Sequence, residues 1–147
     1  MRQAVTLGPH RIELRDSPML TPGAGQALIR VDRVGICGSD LHIFHGKHPR
    51  ATFPRIQGHE ASGEIVELGP DYTGTLQTGV RVTIDPLIPC GSCYACRQHR
   101  SNCCPRLVVI GAHIDGLLQE YAVVPDHTLH LANQRLPSAG NEHWTVA

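Results

Sequence analysis

Apolar and polar positions alternate along much of this chain with the two-residue period of half-buried strands. Gln26–Val34 shows the pattern best. Leu28, Arg30, Asp32 and Val34 fall on one side, and Ile29, Val31 and Arg33 on the other. Shorter runs at Gln3–Leu7, Arg11–Leu14, Ala61–Leu68, Val80–Ile84, Gln119–Val124 and Thr128–Leu131 read as further strands. Turn formers separate them: Gly8–Pro9, the loop Asp16–Gly25, and Gly35–Gly38 after the long strand. Ser39–His45 suits a short helix with Ser39 or Asp40 as its N-cap, and His48–Arg55 is a proline-containing loop. From Ala132 onward the pattern fades into a polar segment. The expected fold is mainly β, a partly open barrel with short helices and one inserted cysteine-rich lobe.

Composition narrows the function classes. With 13 basic and 13 acidic residues among 147, the chain has no cationic excess for a nucleic-acid partner. Its apolar runs, such as Leu107–Ala112, are too short to cross a bilayer, so no membrane partner is expected. The N-terminal stretch Met1–Asp16 lacks the apolar core of a signal peptide, and a cytoplasmic location is expected. Thiols stay reduced there, so clustered cysteines read as metal ligands before they read as disulfides.

Five of the six cysteines lie in Cys90–Cys104. Cys90, Cys93 and Cys96 are spaced by two residues, and Cys103 or Cys104 follows across a short loop. This spacing suits a tetrahedral zinc. Four thiolates would close the coordination shell, so the site would support folding and do no chemistry. The sixth cysteine, Cys37, ends the long strand, and His59 and Glu60 open another. A thiolate, an imidazole and a carboxylate are a plausible three-ligand set for a zinc with an open position. Read singly, Cys37 is more often a small buried apolar residue, and His59–Glu60 often a surface pair.

Val34–His42 (VGICGSDLH), Gly58–Gly69 (GHEASGEIVELG) and the Cys90–Cys104 lobe occur in an order and spacing that resemble the N-terminal GroES-like domain of the zinc-dependent medium-chain alcohol dehydrogenases. The likeness runs from about Met1 to Leu131, with the zinc lobe at about 85–105, and includes Asp115–Ala132. The nearest branch by eye is the polyol, threonine and sugar-acid dehydrogenases. The resemblance implies that Cys37 and His59 ligate a catalytic zinc and that Glu60 is a near or transient ligand. It implies that Asp40 supports the His59 ring, and that Ser39 and His42 relay a proton to solvent. The structural zinc would take Cys90, Cys93, Cys96 and Cys104, leaving Cys103 out. In that branch the third catalytic ligand is a Glu opening a Glu-Pro-Leu type segment. Glu142 stands at about that place, with His143 where the Pro would be and as a lesser rival ligand.

The resemblance also implies a small-molecule alcohol substrate and NAD(P) as hydride acceptor. The family's cofactor domain carries a Gly-rich phosphate turn, and no G-x-G-x-x-G follows a strand in these 147 residues. Residues 132–147 read as a tail leading toward such a domain. The chain is therefore expected to be the catalytic-domain portion of a dehydrogenase, inactive alone, with possible self-association through the face left uncovered. The alternative is a non-enzymatic zinc-binding β domain or truncated remnant.

Overall fold

The computed structural model describes residues 1–132; Glu142 and His143 lie outside them. The first hairpin joins β1 (Arg2–Gly8) to β2 (Arg11–Asp16), antiparallel across the predicted Gly8–Pro9 turn. The long strand is β3 (Gln26–Gly35), and the helix α1 covers Gly38–Phe44. A two-residue strand, β4 (Arg55–Ile56), closes the expected loop and pairs with β1. Then follow β5 (Glu60–Leu68) and β6 (Arg81–Ile84). Strands β7 (Leu87–Ile88) and β8 (Val108–Val109) pair at the base of the cysteine lobe, which carries α2 (Tyr94–Arg97). The chain continues into β9 (Tyr121–Pro125) and β10 (Leu129–Leu131).

The principal sheet has the order β10-β6-β5-β3-β9, every neighbouring pair antiparallel. Its two outer strands, β9 and β10, are joined only by the three-residue turn Asp126–Thr128. A connection that short forces the sheet to curl until its edges approach. The barrel stays open, because β9 and β10 do not pair with each other. Among the described residues no helix is long and apolar enough to cross a membrane.

The two-sided alternation expected for β3 is only partly realised. Ala27, Leu28 and Ile29 are all buried. The β3/β5 register shifts between Leu28 and Ile29 and again between Val31 and Arg33. The first shift places its extra residue, Val66, on β5, and the second places Asp32 on β3, so only the second changes the phase of β3 itself. As a central strand between β5 and β9, β3 has little exposed face at its start. Ile29, Ile65, Val82, Leu117 and Val124, each at most 1% exposed, form the centre of the core.

The helix start also differs from expectation. Cys37, with extended backbone, is the N-cap of α1, and Asp40 is the third helical residue. The Asp40 carboxylate Oδ2 accepts the Cys37 backbone N–H at 3.0 Å. A carboxylate at that position ties the chain down one turn back, as in a capping box. The capping role expected of Ser39 or Asp40 therefore falls to Cys37, and Asp40 serves from inside the helix.

Candidate active site and zinc lobe

Two sequence-distant segments meet at the top of the β3/β5 pair. β3 delivers Cys37 through the α1 cap, and β5 begins at Glu60, with Gly35 paired to Glu60. A Cβ on Gly35 would lie 3.0 Å from Glu60 Oε2 and 3.3 Å from Glu60 Cβ, so a larger residue there would press on the Glu60 side chain. Gly58, just before His59, has φ +88°, and a Cβ there would sit 2.9 Å from Val34 Cγ1. Those two glycines let the His59–Glu60 turn pass close beside the Cys37 turn.

The result is one cluster. The metal-ligating atoms of Cys37, His59 and Glu60 all lie within 4.8 Å of one another, and all three residues are half-buried. Ser39 Oγ is 3.3 Å from Cys37 Sγ and 3.3 Å from His59 Nε2. On the far side of the ring, His59 Nδ1 is 3.6 Å from Asp40 Oδ1. Asp40 is 3% exposed, and its Oδ1 also accepts the buried Gly58 N–H at 3.1 Å. Asp40 thus faces Nδ1, which leaves Nε2 turned toward Cys37. His42 lies one turn along α1 from Ser39 and is exposed, with no side-chain hydrogen bond among the described residues. The sequence-predicted residues Cys37, Ser39, Asp40, His59 and Glu60 are therefore brought together, whereas His42 is an exposed residue of the same helix with no recorded contact to them.

The electrostatics follow from these contacts. The Asp40 bond, against opposing burial, holds the His59 imidazole up at about 9. The Ser39 hydroxyl, then the Ser39 backbone and His59, pull the Cys37 thiol below its usual value. Burial pushes the Asp40 carboxyl up, but His59 and the Cys37 and Gly58 N–H groups together outweigh it and leave it lowered. The lowering moves Cys37 toward the thiolate that a metal needs, whereas the raised His59 would have to give up its proton to serve as a ligand. The donor set of one soft sulfur, one imidazole and one carboxylate suits zinc with a coordination position left over.

In the lobe the Sγ atoms of Cys90, Cys93, Cys96 and Cys104 form a second group within 4.8 Å. Cys104 is buried, whereas Cys103 is exposed and outside the group. Sγ–Sγ separations are 3.9 Å for Cys90–Cys96 and 3.4 Å for Cys93–Cys96. A zinc tetrathiolate has edges of about 3.8 Å, so these thiols fit that ion with small adjustment. Backbone N–H groups of Cys96 and Cys90 donate to Cys93 and Cys104 Sγ at 3.5 and 3.4 Å. The Ser92 backbone leads in drawing Cys90 down to about 5, while desolvation leads in pushing Cys96 up to about 12. One residue that spacing rules passed over also reaches the lobe. Arg106 Nη2 donates to Cys90 Sγ at 3.2 Å and to Ser92 Oγ at 2.8 Å. Its only signal in the sequence is a cation two residues after the last cysteine.

The chain is similar to known proteins over most of its length. The alcohol dehydrogenase GroES-like domain family model matches residues 23–134. An uncharacterized zinc-type alcohol dehydrogenase-like protein of Haemophilus influenzae is 40% identical over 129 residues, 88% of this chain and 38% of that protein. The L-galactonate-5-dehydrogenase of Escherichia coli K12 is 41% identical over 117 residues, 80% of this chain and 34% of that protein. The crystal structure of a short chain alcohol dehydrogenase (rspB) from Escherichia coli CFT073, complexed with NADH, superposes with a TM-score of 0.84 at 36% identity. That superposition covers 91% of this chain and 39% of the other. The chain thus spans between a third and two fifths of the length of these relatives.

Proposed function

Because the chain belongs to the alcohol dehydrogenase GroES-like domain family, we propose that it is the zinc-holding catalytic portion of an NAD(P)-dependent dehydrogenase. The reaction is oxidation of a secondary alcohol or polyol to a carbonyl. The observation that carries this reading is the meeting of Cys37, His59 and Glu60 with Asp40 packed behind the imidazole. A purely structural domain has no need of a second donor cluster beside the cysteine lobe. The 41% identity to an L-galactonate-5-dehydrogenase supports the polyol and sugar-acid branch.

In this reading Cys37 and His59 are the fixed zinc ligands, Glu60 a near or exchanging one, and Glu142 the third. Zinc held there supplies Lewis acidity to an alcohol hydroxyl, and NAD(P) supplies the hydride acceptor. Asp40 keeps the proton of His59 on Nδ1, so that Nε2 presents its lone pair. The Ser39 hydroxyl, 3.3 Å from Cys37 Sγ, would take the proton of a hydroxyl bound beside it while releasing its own. That proton would pass by way of the cofactor ribose to His42, exposed on the same helix, and from there to water. The lobe cysteines Cys90, Cys93, Cys96 and Cys104 hold a second, closed zinc that secures the loop. Turnover would require these residues together with a nicotinamide-binding site, and residues 1–147 tested alone are expected to bind no NADH.

Metal stoichiometry tests this. The purified chain should hold two zinc ions, with Cys37→Ser losing one and Cys104→Ser the other. Loss of no zinc in Cys37→Ser would refute the catalytic site. Saturable NADH fluorescence with the chain alone would refute the placement of the cofactor site elsewhere.

A further inference from the structure

The lobe is built from a segment rich in fixed cations. Arg97, Arg100 and Arg106 lie within or just after it, and between Cys90 and Arg106 there is no Asp or Glu. Two of these arginines are committed to one short stretch of chain. Arg97 Nη1 donates to the Ser92 carbonyl at 2.6 Å. Arg106 Nη2 donates both to Cys90 Sγ at 3.2 Å and to Ser92 Oγ at 2.8 Å. The Ser92 hydroxyl is itself 3.8 Å from Cys90 Sγ. Arg106 has no carboxylate partner among the described residues. Its partners are a thiol sulfur and a hydroxyl.

Four thiolates around a divalent ion leave the centre with two excess negative charges. Backbone N–H groups already serve the sulfurs of Cys93 and Cys104. Cys90, which also has backbone contacts from Ser92 and Cys93, is the ligand that receives a guanidinium in addition. A charged donor on a thiolate is stronger than a neutral one, and a planar guanidinium can hold two acceptors in fixed geometry.

We propose that Arg106 is a positioning residue for the lobe metal: its guanidinium clamps the Cys90 thiolate against Ser92, offsets the excess charge of the tetrathiolate, and slows release of the metal. This rests on the reading of Cys90, Cys93, Cys96 and Cys104 as zinc ligands. The clamp is formed from the chain just beyond Cys104, so it also ties the first ligand to the last across the lobe. It acts on metal retention and has no part in the alcohol chemistry.

The test follows zinc transfer to a chromophoric chelator from the zinc-loaded chain carrying Cys37→Ser, so that only lobe metal is read. Partners that hydrogen-bond metal ligands change metal affinity by roughly 10–100-fold, and the exposure of Arg106 puts it at the lower end. Arg106→Gln should therefore release zinc about tenfold faster. Arg106→Lys should recover part of the loss, restoring charge without the second bond. Arg97→Gln, which loses a bond to a carbonyl and none to sulfur, should release at close to the parent rate. Raising salt should speed release from the parent more than from Arg106→Gln, because part of the clamp is a screened charge interaction. Equal release by the parent and Arg106→Gln, with zinc bound in both, would overturn the role of Arg106 alone. Equal zinc content in the parent and a Cys90→Ser variant would overturn the ligand reading and the clamp with it.

Discussion

Asp40→Asn isolates the carboxylate behind the candidate catalytic site. One Asp40 oxygen accepts the Cys37 N–H at 3.0 Å, and the other accepts the Gly58 N–H at 3.1 Å while facing His59 Nδ1 at 3.6 Å. An amide of the same shape keeps one acceptor and turns an NH2 toward the other partner. Whichever way it lies, one backbone donor meets a donor. A buried donor without its acceptor costs roughly 1–3 kcal/mol. Loss of the charge contact with His59 adds to this, so a total of about 3 kcal/mol is expected. With a urea slope of about 2 kcal/mol per M, the midpoint should fall by about 1.5 M. The measurement is urea unfolding followed by circular dichroism, on metal-free reduced chain near neutral pH. Ser39→Ala is the control. It removes contacts to Cys37 Sγ and His59 Nε2 but leaves no backbone group stranded, so its cost should stay below about 1 kcal/mol. Equal midpoints for Asp40→Asn and Ser39→Ala would refute the assignment of Asp40 as the shared acceptor of both turns.

Gly58→Ala should be among the most damaging single-methyl additions. It combines φ +88° with contacts of 2.9 Å to Val34 Cγ1 and 3.0 Å to Leu118 Cγ, and a loss of about 2–5 kcal/mol by urea titration is expected. If it unfolds at the parent midpoint, the close approach beside His59 is not needed. Asp126 offers a pH test away from either metal cluster. Thr73 donates to it through Oγ at 2.6 Å and N at 3.1 Å, with His127 beside it and Tyr72 nearby, and its carboxyl lies below the usual value. A lowered acid contributes stability above its unfolded value near 3.8 and loses it as pH falls through the folded value. Unfolding midpoints at pH 6 and pH 3 should therefore converge more in Asp126→Asn than in the parent, and a parallel shift at both pH values would contradict this.

Much of the fold was legible because strands and turns leave local marks. The two-residue alternation and the Gly-Pro punctuation located nearly every long strand to within a residue or two. The marks fail where tertiary contact decides. β4, β7 and β8 have two residues each, too few to show a period, and they exist because β1 and one another supply partners. The faces of β3 were misread at its start, where Ala27, Leu28 and Ile29 are all buried. At the site, residue types pointed to Cys37, His59 and Glu60, whereas Ser39 and Asp40 were singled out only through the family resemblance. What sequence could not show was that Asp40 reaches back to Cys37 and across to Gly58. Arg106 was missed for the same reason, since its bond to Cys90 spans the whole lobe.

The position of Asp40 explains why this site is built at a helix start. A metal ligand pair needs two chain segments held at fixed separation, and each segment needs its backbone donors satisfied. Asp40 does both with one carboxylate: it caps the turn that presents Cys37 and receives the turn that presents His59. The imidazole is the third group it faces. Positioning the ligands and orienting the ring are therefore a single interaction set. That arrangement would tolerate an empty site, because the carboxylate and the two N–H groups are satisfied with or without an ion. The lobe is built differently. Its sulfurs depend on each other, on a few N–H groups and on Arg106, with Cys104 the only buried member. Removing metal should therefore loosen the lobe first and leave the Cys37–His59 turn ordered. Hydrogen exchange on metal-free chain would show this as lost protection at Cys96 and Cys104 with protection retained at Gly58, and uniform loss at all three would contradict it.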